Sequence, residues 1–582
     1  MKECLMSDQN WLVGAAKADI TAFIPGIVML GYGNPHNTVK YVHALLNVRA
    51  IWIECRKSKE VSLMLCLEVC FITQALTDSL WELISKKYPN LKRDQVIITA
   101  QHTHSAPSGY SHYALYSMPT PGFSQQVLDI LVLGCFKAIE LAFKNKRASK
   151  ILYKEGQVPF DADVSFNRSL RAHNLNPEVK TPLSKKEQSK GTDRTMRLLE
   201  FVDDQGPFAS WNWFAVHCTN IIWTNHHISP GNKGYAATYL EADQSKLHGR
   251  PDYIGVFAQG NSGDVSPIQE PPFWAHWFKQ PDLKMITKAK ENGLKQFSWA
   301  KKFLTQDGVE IEGEIDGELI YVDFSNIEIE KSRLDKKTSF ASTSPACLGV
   351  SFAEGAENAG IIDPIKYFAR FVANTIKIWE YSIMPIRSKE WGKRIRLKYS
   401  TQKPKHIFVE TGEKKVLGTT QIMSLIIPGW IDKSIGYFKR IHRQGGVHEH
   451  TWTQHVLPLS IIRIGSLSLV NIPAEPTTMA GKRIKDELSE ILGGQVVLSP
   501  YSLAYCGYLT TPEEYEAQCY EGGHTVFGKW TLPAFQQNLA RLAKELAVAK
   551  NQRILDKSLQ PPQFTKYELS IRSFETPALD QH

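Results

Sequence analysis

The sequence predicts a large mixed α/β fold, and three observations carry that expectation. Short apolar runs rich in β-branched residues alternate with segments of helical spacing through the first half of the chain. Apolar residues make up 43% and charged residues 22% of the 582 residues, which suits a packed core and excludes a disordered or collagen-like chain. No apolar run approaches the roughly 18 residues of a membrane-spanning helix. At about 150 residues per domain, the length fits three or four domains, or one large unit with an appendage.

Taken in order, Arg49–Glu54 and Val61–Thr73 read as strands, Thr77–Lys86 as an amphipathic helix and Gln95–Ala100 as a buried strand. Helical spacing returns over Phe123–Phe143 and ends in a lysine-rich turn. Asn174–Arg194, rich in Lys, Ser and Pro, reads as an exposed loop, and Lys284–Lys302 as a basic helix. Gly308–Ile329 alternates in the manner of a hairpin. Tyr437–Gln454 has no clear period, and its His442, His448 and His450 read as a solvated loop rather than a metal site. Pro533–Leu555 is predicted as a long amphipathic helix, with the proline at its start, where the missing N–H does no harm. The C-terminal residues read as a tail with a strand-like piece, SIRSFETP.

Lys and Arg number 68 against 59 Asp and Glu, a net charge of +9. Over this length that is mild: it is compatible with an anionic membrane surface and is not the basic stripe of a nucleic-acid binder. The nine cysteines are odd in number and form no CxxC pair; Cys66 and Cys70 sit in an apolar run, so buried free thiols are expected. The N-terminal stretch has no continuous apolar segment of signal-peptide length. The expected location is therefore the cytoplasm, or outside the cell by a route without a signal peptide.

The chemistry gathers at strand ends. In Val96–Tyr110 an apolar strand runs into His102-Thr103-His104 and a Ser/Pro/Gly loop. Residues two apart share one face of a strand, so the two imidazoles are expected to point the same way. Two readings remain open there: a metal ligand beside an acid or base, or two loop histidines. Trp211–Asn220 is a second apolar strand, ending in His217, and Val256–Pro267 is a third, running into Gly-Asn-Ser-Gly-Asp-Val-Ser-Pro. Such a loop presents N–H groups, a hydroxyl and a carboxylate to one cleft.

These segments resemble the neutral/alkaline ceramidases, zinc amidohydrolases that split N-acylsphingosine into sphingosine and a fatty acid. The likeness begins at Gly14–Thr21 and Met29–Gly33 and continues through Gln101–Tyr110, Phe166–Ser169, Trp211–Asn220, Asn232–Ala237 and Phe257–Pro267. Tyr321–Asn326, Leu348–Gly355, Ile472–Arg483 and Tyr508–Gly528 complete the ordered set. The resemblance implies zinc (Zn2+) held by His102, His217, Glu475 and Tyr508, and catalytic groups at His104, Arg168 and Tyr520. Two imidazoles and a carboxylate form a common zinc set with room for water; the tyrosine comes from the family alone. Ser266 matches a serine regarded in the family as a nucleophile, and two roles stay open for it, attacking group or wall of the site. The expected substrate is ceramide or a related N-acyl lipid, with no nucleic-acid partner. The rivals are a zinc amidase for another N-acyl lipid or amine, and an inactive sphingolipid-binding protein.

Residues 1–557 are expected to form the catalytic domain, and 558–582 a tail that is the stub of the family's C-terminal β-sandwich domain, most of which would be lacking. Ile268 stands where the family commonly has a polar residue after Ser-Pro. The aromatic-rich segments His112–Phe123 and Pro271–Phe278 follow the two candidate loops. They read equally as a rim that contacts a membrane surface or as core packing.

Overall fold

The computed structural model describes residues 10–117, 122–269, 282–356, 363–416, 418, 433–445 and 449–573. Cys4, Pro271–Phe278 and His448 lie outside them. The main elements in chain order are β1 (Trp11–Asp19), β2 (Asn47–Cys55), β3 (Val61–Leu67), α1 (Gln74–Lys87), β4 (Val96–Ala100), α2 (Gln125–Lys144) and β5 (Arg147–Gln157). Then come β6 (Thr195–Asp203), β7 (Gly206–Phe214), α3 (Gly231–His248), β8 (Ile254–Gln259), α4 (Asp282–Leu304), β9 (Ile315–Asp323), α5 (Asp363–Arg387) and α6 (Lys389–Gln402). The last are β10 (Val456–Ile464), β11 (Leu467–Asn471), α7 (Thr478–Leu492), β12 (Gln495–Ser499) and α8 (Thr531–Leu546).

The larger sheet runs β8-β7-β6-β5-β1-β2-β3-β4, and the smaller one β9-β10-β11-β12. Within β2 the side chains of Val48, Ala50 and Trp52 pack toward α1 and α2, while Ile51, Ile53 and Cys55 face the second sheet. Both faces are buried, which is why this strand reads as a continuous apolar run. Ile462, Ile464, Leu467 and Leu469 of the second sheet meet Trp11, Ile51 and Trp211 of the first across one shared core. The far face of the second sheet is covered by α7 and α8, so two sheets lie between two helical layers, the mixed α/β class expected.

The central strand pairs are antiparallel, but β3–β4, β7–β8 and β11–β12 are parallel. The larger sheet curls until its edge strands meet. The Gln259 side chain at the end of β8 donates to the Gln101 carbonyl just beyond β4 at 3.0 Å. Past the strand ends, Thr103 pairs with Cys218 as a parallel bridge. Carboxyl ends of parallel strands are where α/β sheets present ligand sites, and here three such ends converge.

Several local expectations are corrected. The strand from Val61 ends at Leu67, not Thr73. Gly308–Ile329 is no hairpin: Val309–Glu310 pairs with β5 and β9 pairs with β10. Alternation identifies a half-buried strand and says nothing about its partner. The helix expected over Pro533–Leu555 stops at Leu546; beyond it the chain folds back, with the Glu545 carboxylate taking the Ile554 N–H at 2.6 Å and Arg553 reaching Glu318 at 2.8 Å. Lys433–Arg443, which includes His442, is helical. In the tail, Lys566–Arg572 is a helix with a reciprocal cap between Thr565 and Glu568; it takes in the first three residues of SIRSFETP, whose residues 574–577 lie outside the described residues. That helix docks on the core: Arg572 is fully buried and its carbonyl accepts from the Phe123 N–H at 2.8 Å. Tyr113 and Phe123, from the first aromatic segment, are buried, so its described part is core packing. The eight cysteines described are free thiols.

Candidate metal centre

His102 and His217 stand on either side of the Thr103–Cys218 bridge, so closure of the curled sheet sets their rings 4.7 Å apart. The face-sharing argument for His102 and His104 does not hold. β4 ends at Ala100, and His102 adopts a left-handed φ of 71°. That turn, held by the His102 N–H on the Val69 carbonyl at 3.1 Å, still aims the two rings at one point, with their Nε2 atoms 3.1 Å apart.

Glu475 and Tyr508 arrive from the second sheet. Each follows one of the parallel strands β11 and β12, and the two residues pair directly in a short parallel ladder. Thr477 then caps α7 by accepting the Ala480 N–H at 3.2 Å, which fixes the chain just after Glu475. Glu475 Oε1 lies 3.4 Å from His102 Nε2 and Glu475 Oε2 3.3 Å from His217 Nε2. The Tyr508 hydroxyl lies 3.4 Å from His217 Nε2. All four expected ligand residues are therefore in one buried cluster.

The protonation pattern decides what that cluster can hold. His102 Nδ1 is 2.6 Å from the Cys70 carbonyl, and His217 Nδ1 is 2.7 Å from the Ser262 carbonyl. A carbonyl only accepts, so both Nδ1 atoms carry the proton and both Nε2 atoms present lone pairs. Burial lowers the pKa of both rings, that of His217 to about 4, with Arg168 adding to its shift. Burial opposes ionisation of Glu475; a positive charge seated between it and the His102 and His217 rings, with the hydrogen bond from the Tyr505 hydroxyl, overcomes that and holds the carboxyl well below its usual range. Two imidazole lone pairs thus face a carboxylate with no proton between them. A cation resolves that repulsion, and a nitrogen/oxygen donor set of this kind suits zinc. Cys70, His102 and His104 also lie close together, but burial pushes the Cys70 thiol up and His102 Nδ1 is committed to the Cys70 carbonyl.

The other predicted residues are placed as follows. His104 brings its Nε2 within 3.1 Å of His102 Nε2, and its ring is held neutral, first by burial and then by His102 and His217. Its ring packs edge-on to Tyr32 at 4.7 Å. Gly31, at φ +132°, makes room for it: a Cβ there would come within 2.5 Å of the ring, which accounts for the glycine in Met29–Gly33. Arg168 follows the Phe166–Asn167 strand that pairs with Val265–Ser266. Its guanidinium donates to Glu521 at 2.9 Å, to the Gly263 carbonyl at 2.8 Å and to the Tyr508 hydroxyl at 3.1 Å. Tyr520 opens a helical turn; its ring meets that of Tyr508 at 5.3 Å and lies 5.6 Å from the Arg168 guanidinium carbon. Ser266 is buried, and among the described residues its hydroxyl is bonded to the Ile268 N–H at 3.3 Å, not to a histidine.

Sequence reading missed three supporting residues. Tyr501 and Tyr505 both donate to Glu475, Tyr501 at 3.3 Å. Tyr501 also shares a hydrogen with Ser262 at 2.8 Å, whose carbonyl orients His217. Glu521 takes Arg168 and the Ser169 hydroxyl together. The signal was two tyrosines in an otherwise apolar turn between the Glu475 and Tyr508 segments. Of the His442, His448 and His450 group, His450 is half-buried and lies 3.3 Å from Glu568.

Comparison with known proteins agrees with this geometry. Residues 11–427 and 433–537 match the family model described as neutral/alkaline non-lysosomal ceramidase, N-terminal. The chain is 31% identical over 554 residues to the neutral ceramidase of Pseudomonas aeruginosa, covering 94% of this chain and 73% of that protein. It is 27% identical to the neutral ceramidase of Oryza sativa subsp. japonica, over 97% of this chain and 78% of the relative. The crystal structure of the Pseudomonas aeruginosa enzyme superposes with a TM-score of 0.74 at 29% identity, covering 97% of this chain and 77% of that one. A solved ceramidase complexed with C2 gives 0.76 at 29% identity, over 96% and 78% of the two chains.

Proposed function

The chain belongs to the neutral/alkaline non-lysosomal ceramidase family, and on that premise we propose that it cleaves the amide bond of ceramide with one zinc ion held by His102, His217, Glu475 and Tyr508. The observation that carries the zinc assignment is the meeting of two imidazole lone pairs with an ionised carboxylate in a buried site. Zinc, when bound, lowers the pKa of water to about 7 and polarises a carbonyl.

The chain's own residues supply the rest. The reaction adds water across the C–N bond, giving a fatty acid and sphingosine, so a proton must reach the departing nitrogen. His104 moves that proton at Nε2: its ring is neutral and aimed into the centre, in the state a proton carrier needs. The oxygen of the tetrahedral intermediate takes a hydrogen bond from the Tyr520 hydroxyl. Arg168 has its donors committed to Glu521, Gly263 and Tyr508. It therefore orients Tyr508 and lends positive charge beside Tyr520. Water is the nucleophile in this reading, because the Ser266 hydroxyl has no base within hydrogen-bond reach among the described residues.

A product assay on ceramide beside a panel of other N-acyl lipids and N-acylated amines tests the substrate. Release of sphingosine and fatty acid in preference to the other products is expected. Preferential cleavage of another N-acyl compound would replace ceramide as the substrate, and an acyl adduct trapped on Ser266 would replace water as the nucleophile.

A further inference from the structure

α5 is built the wrong way round for a helix facing water. Among its described side chains the one carboxylate, Glu380, is buried and points inward to Lys398 at 2.8 Å and to the Tyr399 hydroxyl at 2.7 Å, both on α6. Ala369 and Ala373 pack beside it on the same inward side, against Val350. Its outward face carries Tyr367, Phe368, Phe371, Ile378 and Trp379, with Phe368 67% and Phe371 68% exposed. The remaining exposed positions between Tyr367 and Ser382 are Asn374, Thr375, Tyr381 and Ser382, so no charge interrupts the face. The side chains of Lys366, Arg370 and Lys377 lie along its flank, half-buried.

Charge completes the pattern. Asp363–Gln402, which spans α5 and α6, holds nine Lys and Arg against three Asp and Glu, a net +6 of the chain's +9. Lys389, Lys393 and Arg396 of α6 are exposed, as is Trp391. Contiguous exposed apolar surface marks an interaction site. An aromatic face bordered by cations matches the plane between lipid headgroups and acyl chains. No helix among the described residues is long and apolar enough to cross a membrane.

The face is also tied to the metal centre. Glu354 pairs with Lys366 at 3.3 Å and with Arg370, which anchors the N-terminal half of α5 to the short helix Val350–Ala353. Phe352 of that short helix stacks on Tyr520 at 5.5 Å.

We propose that the outward face of α5, with the cations of α6 beside it, docks the protein on an anionic phospholipid bilayer and so sets the metal centre against the surface that holds its lipid substrate. The substrate clause rests on the function proposed above; the docking clause does not.

The test compares the parent with the triple variant Phe368→Ser, Phe371→Ser and Trp379→Ser. Both are mixed with vesicles of phosphatidylcholine with and without phosphatidylserine, at low and high salt, and separated by flotation. The parent is expected to float with the phosphatidylserine vesicles and to be released by salt, and the variant to partition at least about tenfold less. Its melting temperature and its turnover of a short-chain, water-dispersed N-acyl substrate should match the parent. Equal flotation of variant and parent, or no flotation of the parent, overturns the proposal. So does a parent that is dimeric in solution and made monomeric by the substitutions, since a second copy would then cover the face. Flotation through α5 without any cleavage of ceramide leaves the docking surface standing and removes the proposed function.

Discussion

Replacing Tyr505 by phenylalanine should weaken zinc binding without disturbing the fold. The hydroxyl of Tyr505 donates to Glu475 Oε1 in a site where Glu475 is 1% exposed. A hydrogen bond to a buried charge contributes about 1.5–3 kcal/mol net. Tyr501 donates to the other oxygen of the same carboxylate at 3.3 Å and remains in the variant, so part of the orientation is kept. The expected loss is roughly 10- to 100-fold in zinc affinity, the usual scale for a group that orients a ligand. The ring of Tyr505 is stacked on Phe71 at 4.0 Å and nearly parallel, and phenylalanine preserves that packing. Competition of the metal-free protein against a chelator of known affinity measures the effect, and the melting temperature of the metal-free protein checks that the fold is unchanged. An affinity within about threefold of the parent, with the fold intact, would refute the claim that Tyr505 holds Glu475 in place for the metal.

His102→Ala should lose both zinc and activity, whereas His104→Gln should keep zinc and lose roughly 10²–10⁴-fold in rate; equal zinc contents in elemental analysis of the two would contradict the division of roles. Glu521→Gln removes the charge partner of a buried Arg168. It is expected to lower kcat more than KM while zinc content stays near one per chain, because Arg168 then orients Tyr508 less well; an unchanged kcat would count against a positioning role. His112 is kept neutral in the fold by burial and then by Arg572, with its pKa lowered to about 4. It therefore stabilises the fold above about pH 6.5, and about 3 kcal/mol is lost as the pH falls from there toward 4. Denaturant melts of His112→Phe should be flatter over that window than those of the parent, and parallel curves would show that His112 is not the group responsible.

How far the sequence could be read depended on what each signal encodes. Apolar runs located β2, β3 and β4, because strands buried on both faces need little else. The proposed ligands His102, His217, Glu475 and Tyr508 are legible only through ordered family motifs. Their spacing is unreadable because the curl of one sheet and a ladder from the other bring them together. The left-handed turn at His102 could not be seen in a His-Thr-His run that alternation assigns to a strand. The pairing of β9 with β10 joins segments far apart in sequence, so local alternation suggested a hairpin instead. The Thr565–Glu568 cap is present in the tail as a Thr-x-x-Glu signature, the local mark of the helix that follows it. The inward Glu380 and outward aromatic residues of α5 invert the usual pattern, and only the fold reveals which side faces out.

The measurement that bears most directly on the zinc amidase reading is ceramide cleavage by protein stripped of metal and then titrated with zinc. Release of sphingosine and fatty acid should be absent from the stripped protein and rise to a plateau at about one zinc per chain, with no recovery in His102→Ala. Full cleavage by the metal-free protein, or a plateau unaffected by the loss of His102, would contradict it.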